Sequence, residues 1–162
     1  ELLWVLERDC KTEFIIKTIN LTKQSKQEFE FSFENESNEI AEYTGPIAYL
    51  YEPNAAILKA GAFNSVSTQL NIPKLHKHSH LYTSNTLIDF PGRRFKIEKN
   101  ILFNKKIFAK EKISKANVTT RNFPISVGEI RKKLKIKDGG DIYLFFTTDL
   151  NNIKIILVCV KA

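Results

Sequence analysis

Tyr49-Leu50-Tyr51-Glu52-Pro53-Asn54-Ala55-Ala56-Ile57-Leu58-Lys59-Ala60-Gly61-Ala62-Phe63 is the stretch on which the reading of this chain turns. Pro53 suits the first turn of a helix, where a missing N–H costs nothing. Leu58, Ala62, Val66 and Leu70 then recur at helical spacing, which predicts one helix running to about residue 70. Gly61 within it is about 1 kcal/mol worse than Ala and reads as a point of close approach. His80-Leu81-Tyr82-Thr83-Ser84 and Phe90-Pro91-Gly92-Arg93-Arg94-Phe95 follow as two further compact motifs.

Downstream, strands and helices alternate. Residues 94–103 read as a strand, 104–112 as a short helix and 115–123 as a strand. Ser126-Val127-Gly128-Glu129 is a capping box opening a helix with the apolar stripe Val127, Ile130 and Leu134. Gly139-Gly140 ends that unit, and residues 141–148 and 152–161 form a hairpin about Asp149-Leu150-Asn151. The order is β-α-β-α-β-β. Upstream, Leu2-Leu3-Trp4-Val5-Leu6 and residues 14–21 read as a hairpin. Residues 27–34 alternate strictly, with Phe29, Phe31 and Phe33 facing one way, which completes an antiparallel meander expected to pack on the rest of the chain or on a second copy. Residues 35–46 are polar, acidic and end in Gly45-Pro46, the signature of a linker.

The four motifs Tyr49 to Ala55, Lys59 to Phe63, His80 to Ser84 and Phe90 to Arg93 are joined by Asn117-Val118-Thr119-Thr120-Arg121-Asn122-Phe123-Pro124 and Ile130-Arg131-Lys132-Lys133-Leu134-Lys135-Ile136-Lys137-Asp138-Gly139-Gly140. In that order they resemble the THUMP-like domain at the C-terminal end of a bacterial, Bacteroidetes-type family of class I S-adenosylmethionine (SAM)-dependent methyltransferases. The resemblance implies an α+β fold: a THUMP-like domain over residues 45–162, whose β-α-β-α-β-β module from about residue 94 is preceded by a helix and by the N-terminal meander. The C-terminal domain of bacterial translation initiation factor three has the same element order. Residues 1–44 are then expected to be a remnant hairpin of the catalytic domain plus a linker; membership of the domain's own sheet is the alternative. The chain begins Glu1-Leu2-Leu3-Trp4 and holds no Met, so a piece of a longer cytoplasmic protein is expected, with SAM bound elsewhere in that protein and no cofactor in this chain.

Charge is the most informative compositional feature. Residues 1–50 hold ten acidic and five basic side chains, residues 51–162 eight and twenty, giving −5 and +12. A basic back part is a candidate for polyanion binding, and THUMP domains in RNA-modifying enzymes grip tRNA. Arg93, Arg94, Lys96, Lys105, Lys106, Arg121, Arg131, Lys132 and Lys135 are therefore the candidate contacts to tRNA or rRNA, with solvated surface as the plain alternative. The rival function is an architectural domain that docks on the catalytic domain without touching nucleic acid, or self-associates through its hairpin.

Other chemistry finds little support. No apolar run approaches the roughly 20 residues that span a bilayer. Cys10 and Cys159 lie far apart with no CxxC neighbour, so neither a disulfide framework nor a zinc site is signalled. His76, His78 and His80 alternate, but Lys74 and Lys77 would repel a dication and no nearby carboxylate or cysteine completes a ligand set. A SAM site needs a glycine-rich turn between a strand and a helix N-terminus; Ala60-Gly61-Ala62 reads as helix interior and Gly139-Gly140 follows a helix. Of the scattered acids, Glu129 is taken by capping, Asp89 by the turn before Pro91, and Glu98 stands alone.

Overall fold

A computed structural model describes residues 3, 5, 7–9, 11–23 and 25–162. Strands β1 (Ile15–Leu21) and β2 (Lys26–Ser32) form an antiparallel hairpin that is a sheet of its own. Helix α1 (Phe33–Asn38) follows, then β3 (Tyr49–Pro53), α2 (Ala55–Ala60), α3 (Phe63–Leu70) and β4 (Tyr82–Ser84). The remainder is β5 (Gly92–Leu102), α4 (Lys105–Lys110), β6 (Asn117–Thr120), α5 (Val127–Leu134), β7 (Tyr143–Thr148) and β8 (Lys154–Lys161). From β5 onward this is the expected β-α-β-α-β-β order, and six strands make one mixed sheet in the order β4-β3-β5-β8-β7-β6. Its parallel pair, β6 and β7, is joined through α5, as a parallel connection requires a crossover.

The predicted helix over 53–70 is two helices. Pro53 closes β3, and Asn54 caps α2, its side chain accepting from the Ala56 and Ile57 N–H groups. Gly61 ends α2 at φ 80°, and a Cβ there would meet nothing within 4 Å. Glycine is needed for its left-handed backbone, not for close approach. The expected linker is also partly helical: Ser32 caps α1, so Phe33 leaves the strand pattern and stands exposed while Phe29 and Phe31 are buried. The expected three-stranded meander is a two-stranded hairpin among the described residues. Leu3 and Val5 are exposed outside any strand, and Leu2, Trp4, Leu6 and Cys10 lie outside the described residues.

Cross-strand partners share a face, so register assigns the core. One face carries Tyr51 and Tyr82, covered by α2, α3 and the hairpin through Ile57, Val66, Phe29 and Phe31. It continues into Leu144, Phe146, Ile156 and Val158, covered by Phe108 of α4 and Ile130 of α5. The opposite face carries Leu50, Phe95, Phe145 and Leu157, with Leu75 and Leu81 from the segment before β4 laid against it. The front segment is tied in by polar contacts as well. α3 has no capping side chain at Ala62. Its first amides are taken instead by Glu36: Phe63 and Asn64 donate to Oε1 at 2.9 and 2.8 Å, and Ser65 to Oε2 at 2.7 Å. Lys74 exchanges backbone hydrogen bonds with Glu42 and Thr44, and its buried ammonium lies 5.9 and 5.8 Å from the Tyr43 and Phe63 ring centroids.

Candidate functional site

α4 starts where Asn104 accepts hydrogen bonds from the Lys106 and Ile107 amides, and α5 starts at the Ser126–Glu129 capping box. Both helices lean on the same apolar cluster and leave between them a groove of about 430 Å³. Lys105, Lys112, Lys133 and Lys135 line it beside Ser114, and no carboxylate does. Lys105 and Lys106 occupy the first turn of α4, where the helix dipole disfavours cations, so these lysines do not serve the helix. Lys112 and Lys135 follow the two helices with φ 56° and 57°, and the Lys133 ammonium stands 5.3 Å from the Phe103 ring. Over residues 99–137 there are twelve basic side chains against two acidic ones, Glu111 and Glu129. Glu129 is held by Ser126, whose hydrogen bonds lower its pKa, and Glu111 pairs with Lys99.

The nine basic residues expected to meet RNA are divided among three places. Lys105 and Lys135 line the groove, and Lys106 and Lys132 are exposed on the same two helices. Arg131 turns away to pair with Asp138. Arg94 and Lys96 project from one side of β5 and pair with Asp89 at 3.5 Å and Glu98 at 3.0 Å. Arg93 and Arg121 lie on the other side and converge on Glu52. The Arg93 Nε donates to Glu52 Oε2 at 2.6 Å, while Nε and Nη2 of Arg121 reach Oε1 at 2.9 and 2.8 Å.

Glu52 is 3% exposed, and the side chains of Arg93 and Arg121 are 50% and 33% exposed. Glu52 belongs to β3, while Arg121 follows β6, four places away in the strand order. Flat strands so placed are about 19 Å apart, beyond the reach of one arginine. The sheet is therefore curled, with this face concave, and the Arg93–Glu52–Arg121 bridge crosses its mouth. Sequence reading missed Glu52, whose signal was a lone acid in the otherwise uncharged run Tyr49 to Pro53. It also set Lys133 aside and passed over Lys112.

The histidines do not assemble a metal centre, and no group of three or more metal-binding side chains occurs among the described residues. His76 spans Asn152 at 3.3 Å and Asn122 at 2.9 Å, beside a shallow polar hollow that His78 and Lys154 also line. His80 stacks on Phe63 with centroids 3.6 Å apart. Burial, with Lys74, Arg121 and His78 nearby, lowers its pKa to about 4. For SAM the glycines are wrongly placed. Gly61 ends α2, Gly139 and Gly140 follow α5, and β7 of the parallel pair runs into a hairpin instead of a helix. The described residues do not fit that cofactor.

Residues 49–91 match the model of a ferredoxin-like domain, and residues 92–161 that of a THUMP domain-like family. The crystal structure of a candidate methyltransferase from Porphyromonas gingivalis W83 superposes with a TM-score of 0.86 at 39% identity, over 91% of this chain. The chain spans 38% of the length of that protein, and no curated protein matches it. The two domain matches meet inside one sheet, since β3 pairs with β5, and Glu52 of the first is clasped by Arg93 and Arg121 of the second. Residues 92–161 are thus THUMP-like, as the resemblance to Bacteroidetes-type methyltransferases implied, and they follow a ferredoxin-like domain over residues 49–91 that the resemblance did not set apart.

Proposed function

We propose that this chain is a non-catalytic C-terminal region of a SAM-dependent methyltransferase, and that it binds and positions structured RNA, tRNA or rRNA, for a catalytic domain elsewhere in the same protein. The observation that carries the reading is the α4–α5 groove: four lysines, two on the helices and two just beyond their ends, with no carboxylate among them. Phosphates entering it release counterions, which supplies affinity without reading sequence. The large aromatic side chains near it, Phe103, Phe108 and Phe123, belong to the core, so the groove suits backbone and shape recognition better than base stacking. The THUMP-like match and the methyltransferase relative support the same assignment.

Titration of a structured tRNA against this chain at rising salt tests it. Four phosphate contacts give a log–log slope of about −3 to −4. The double change Lys105→Glu with Lys135→Glu weakens binding at least about tenfold, whereas Lys23→Glu, in the hairpin turn, leaves it unchanged. Absence of binding at low salt, or affinity indifferent to the groove, overturns the proposal. Docking on the remainder of the protein is a compatible second role, favoured by the exposed Ile15, Ile19, Leu21 and Phe33 at the front of the molecule. It predicts that a separately expressed catalytic domain binds this chain, and that Ile19→Glu weakens the association.

A further inference from the structure

The clasp on the concave face contains more positive charge than it needs. Glu52 carries one negative charge and is buried, yet two guanidiniums close on it, and no other acid pairs with either among the described residues. A single arginine would have neutralised the carboxylate. Each guanidinium has five N–H donors in a fixed plane. Those facing Glu52 are used, Arg93 also reaches the Thr119 hydroxyl at 3.5 Å, and the rest of both heads belong to side chains that remain one third to one half exposed. Arg93 is further fixed by lying 5.5 and 5.9 Å from the Phe95 and Phe145 ring centroids. The arrangement is a pair of oriented donor forks with a net charge of +1.

We infer that Arg93 and Arg121 form an oxyanion site for a phosphate group and that Glu52, although itself an anion, is the positioning residue that aims them. The site is separate from the lysine groove: it sits on the other face of the sheet and is assembled from both domains. Planar guanidiniums match phosphate oxygens two at a time, which a lysine cannot do. The carboxylate fixes that geometry before a ligand arrives, so little side-chain freedom is lost on binding. The inference depends on the RNA-binding proposal only for the source of the phosphate.

The test uses a sign. Inorganic phosphate is titrated into the ¹⁵N-labelled chain while the arginine Nε resonances are followed. Saturable shifts of Arg93 and Arg121 are expected, unchanged in the Lys105→Glu, Lys135→Glu variant. Glu52→Gln removes a negative charge from beside the ligand, so a site that works by field alone binds phosphate more tightly. A positioned fork binds about tenfold more weakly. Arg93→Lys keeps the charge and the fold and loses the fork, and costs a similar factor. Comparing one RNA with a 5′-phosphate and with a 5′-hydroxyl then tells a terminal monoester from a backbone diester. No phosphate shift in the unaltered chain, or affinity kept or raised in Glu52→Gln and Arg93→Lys, overturns the inference. Phosphate binding without tRNA binding sinks the RNA proposal and leaves this one standing.

Discussion

His80 holds a φ of 51° against the Phe63 ring, and its depressed pKa sets a direction for acid sensitivity. An unfolded histidine titrates near 6.5. Above that pH both states are neutral there, and His80 has no effect on stability. As the pH falls from about 6.5 to about 4 the unfolded chain takes up a proton that the folded chain refuses, so stability falls across that window and levels off below it. The imidazole is only partly buried, so the loss is about 2 kcal/mol or less. Urea unfolding at a series of pH values should show this slope flattened in His80→Asn, a residue that tolerates the left-handed backbone; an unchanged slope refutes it. The sequence displayed the histidines but not this behaviour, because what depresses the pKa comes from Phe63, Lys74 and Arg121. Glu52 was hidden for the same reason: Arg121 is 69 residues away, and no local pattern encodes such a pairing. The groove lysines were partly legible because helical spacing separates them from the apolar stripe of α5.

The elements that were read correctly are those whose stop and start signals are local. The Ser126–Glu129 box closes as its spacing requires, and the hairpin of β7 and β8 follows from alternation about a short polar turn. The break between α2 and α3 was misread because a glycine at helical spacing is compatible with close approach or with a left-handed cap, and only the backbone decides. α3 concealed its start, since the carboxylate that takes its first amides comes from Glu36 in another helix. The two readings of Gly61 make opposite forecasts. Inside an open helix surface, Gly61→Ala would stabilise by about 1 kcal/mol. At a φ of 80° it destabilises by about 1 kcal/mol, measurable as a lowered urea midpoint at constant m-value.

At the scale of the whole molecule, the acidic front and basic back predicted from charge are distinct in sequence yet share one core. Phe31 of the hairpin is buried with Ile57, Val66 and Tyr51. Phe31→Ala should cost about 3–4 kcal/mol of global stability, seen as an equal downward shift of the transition by tryptophan-independent far-UV circular dichroism and by hydrogen exchange in β3. A loss confined to the hairpin would show instead that the front is an appendage. That joint was illegible in the sequence because residues 35–46 look like a spacer, and only α1 and Glu36 show how they hold the two parts together. β8 has a consequence of its own. It follows the other five strands of its sheet in sequence, yet it sits in the middle of that sheet, between β5 and β7. On a ribosome the strands to either side emerge first and wait unjoined. The clasp that depends on their curvature can close only after Lys154–Lys161 has left the exit tunnel and slipped between them, so a nascent chain stalled before that point carries its arginines without aim.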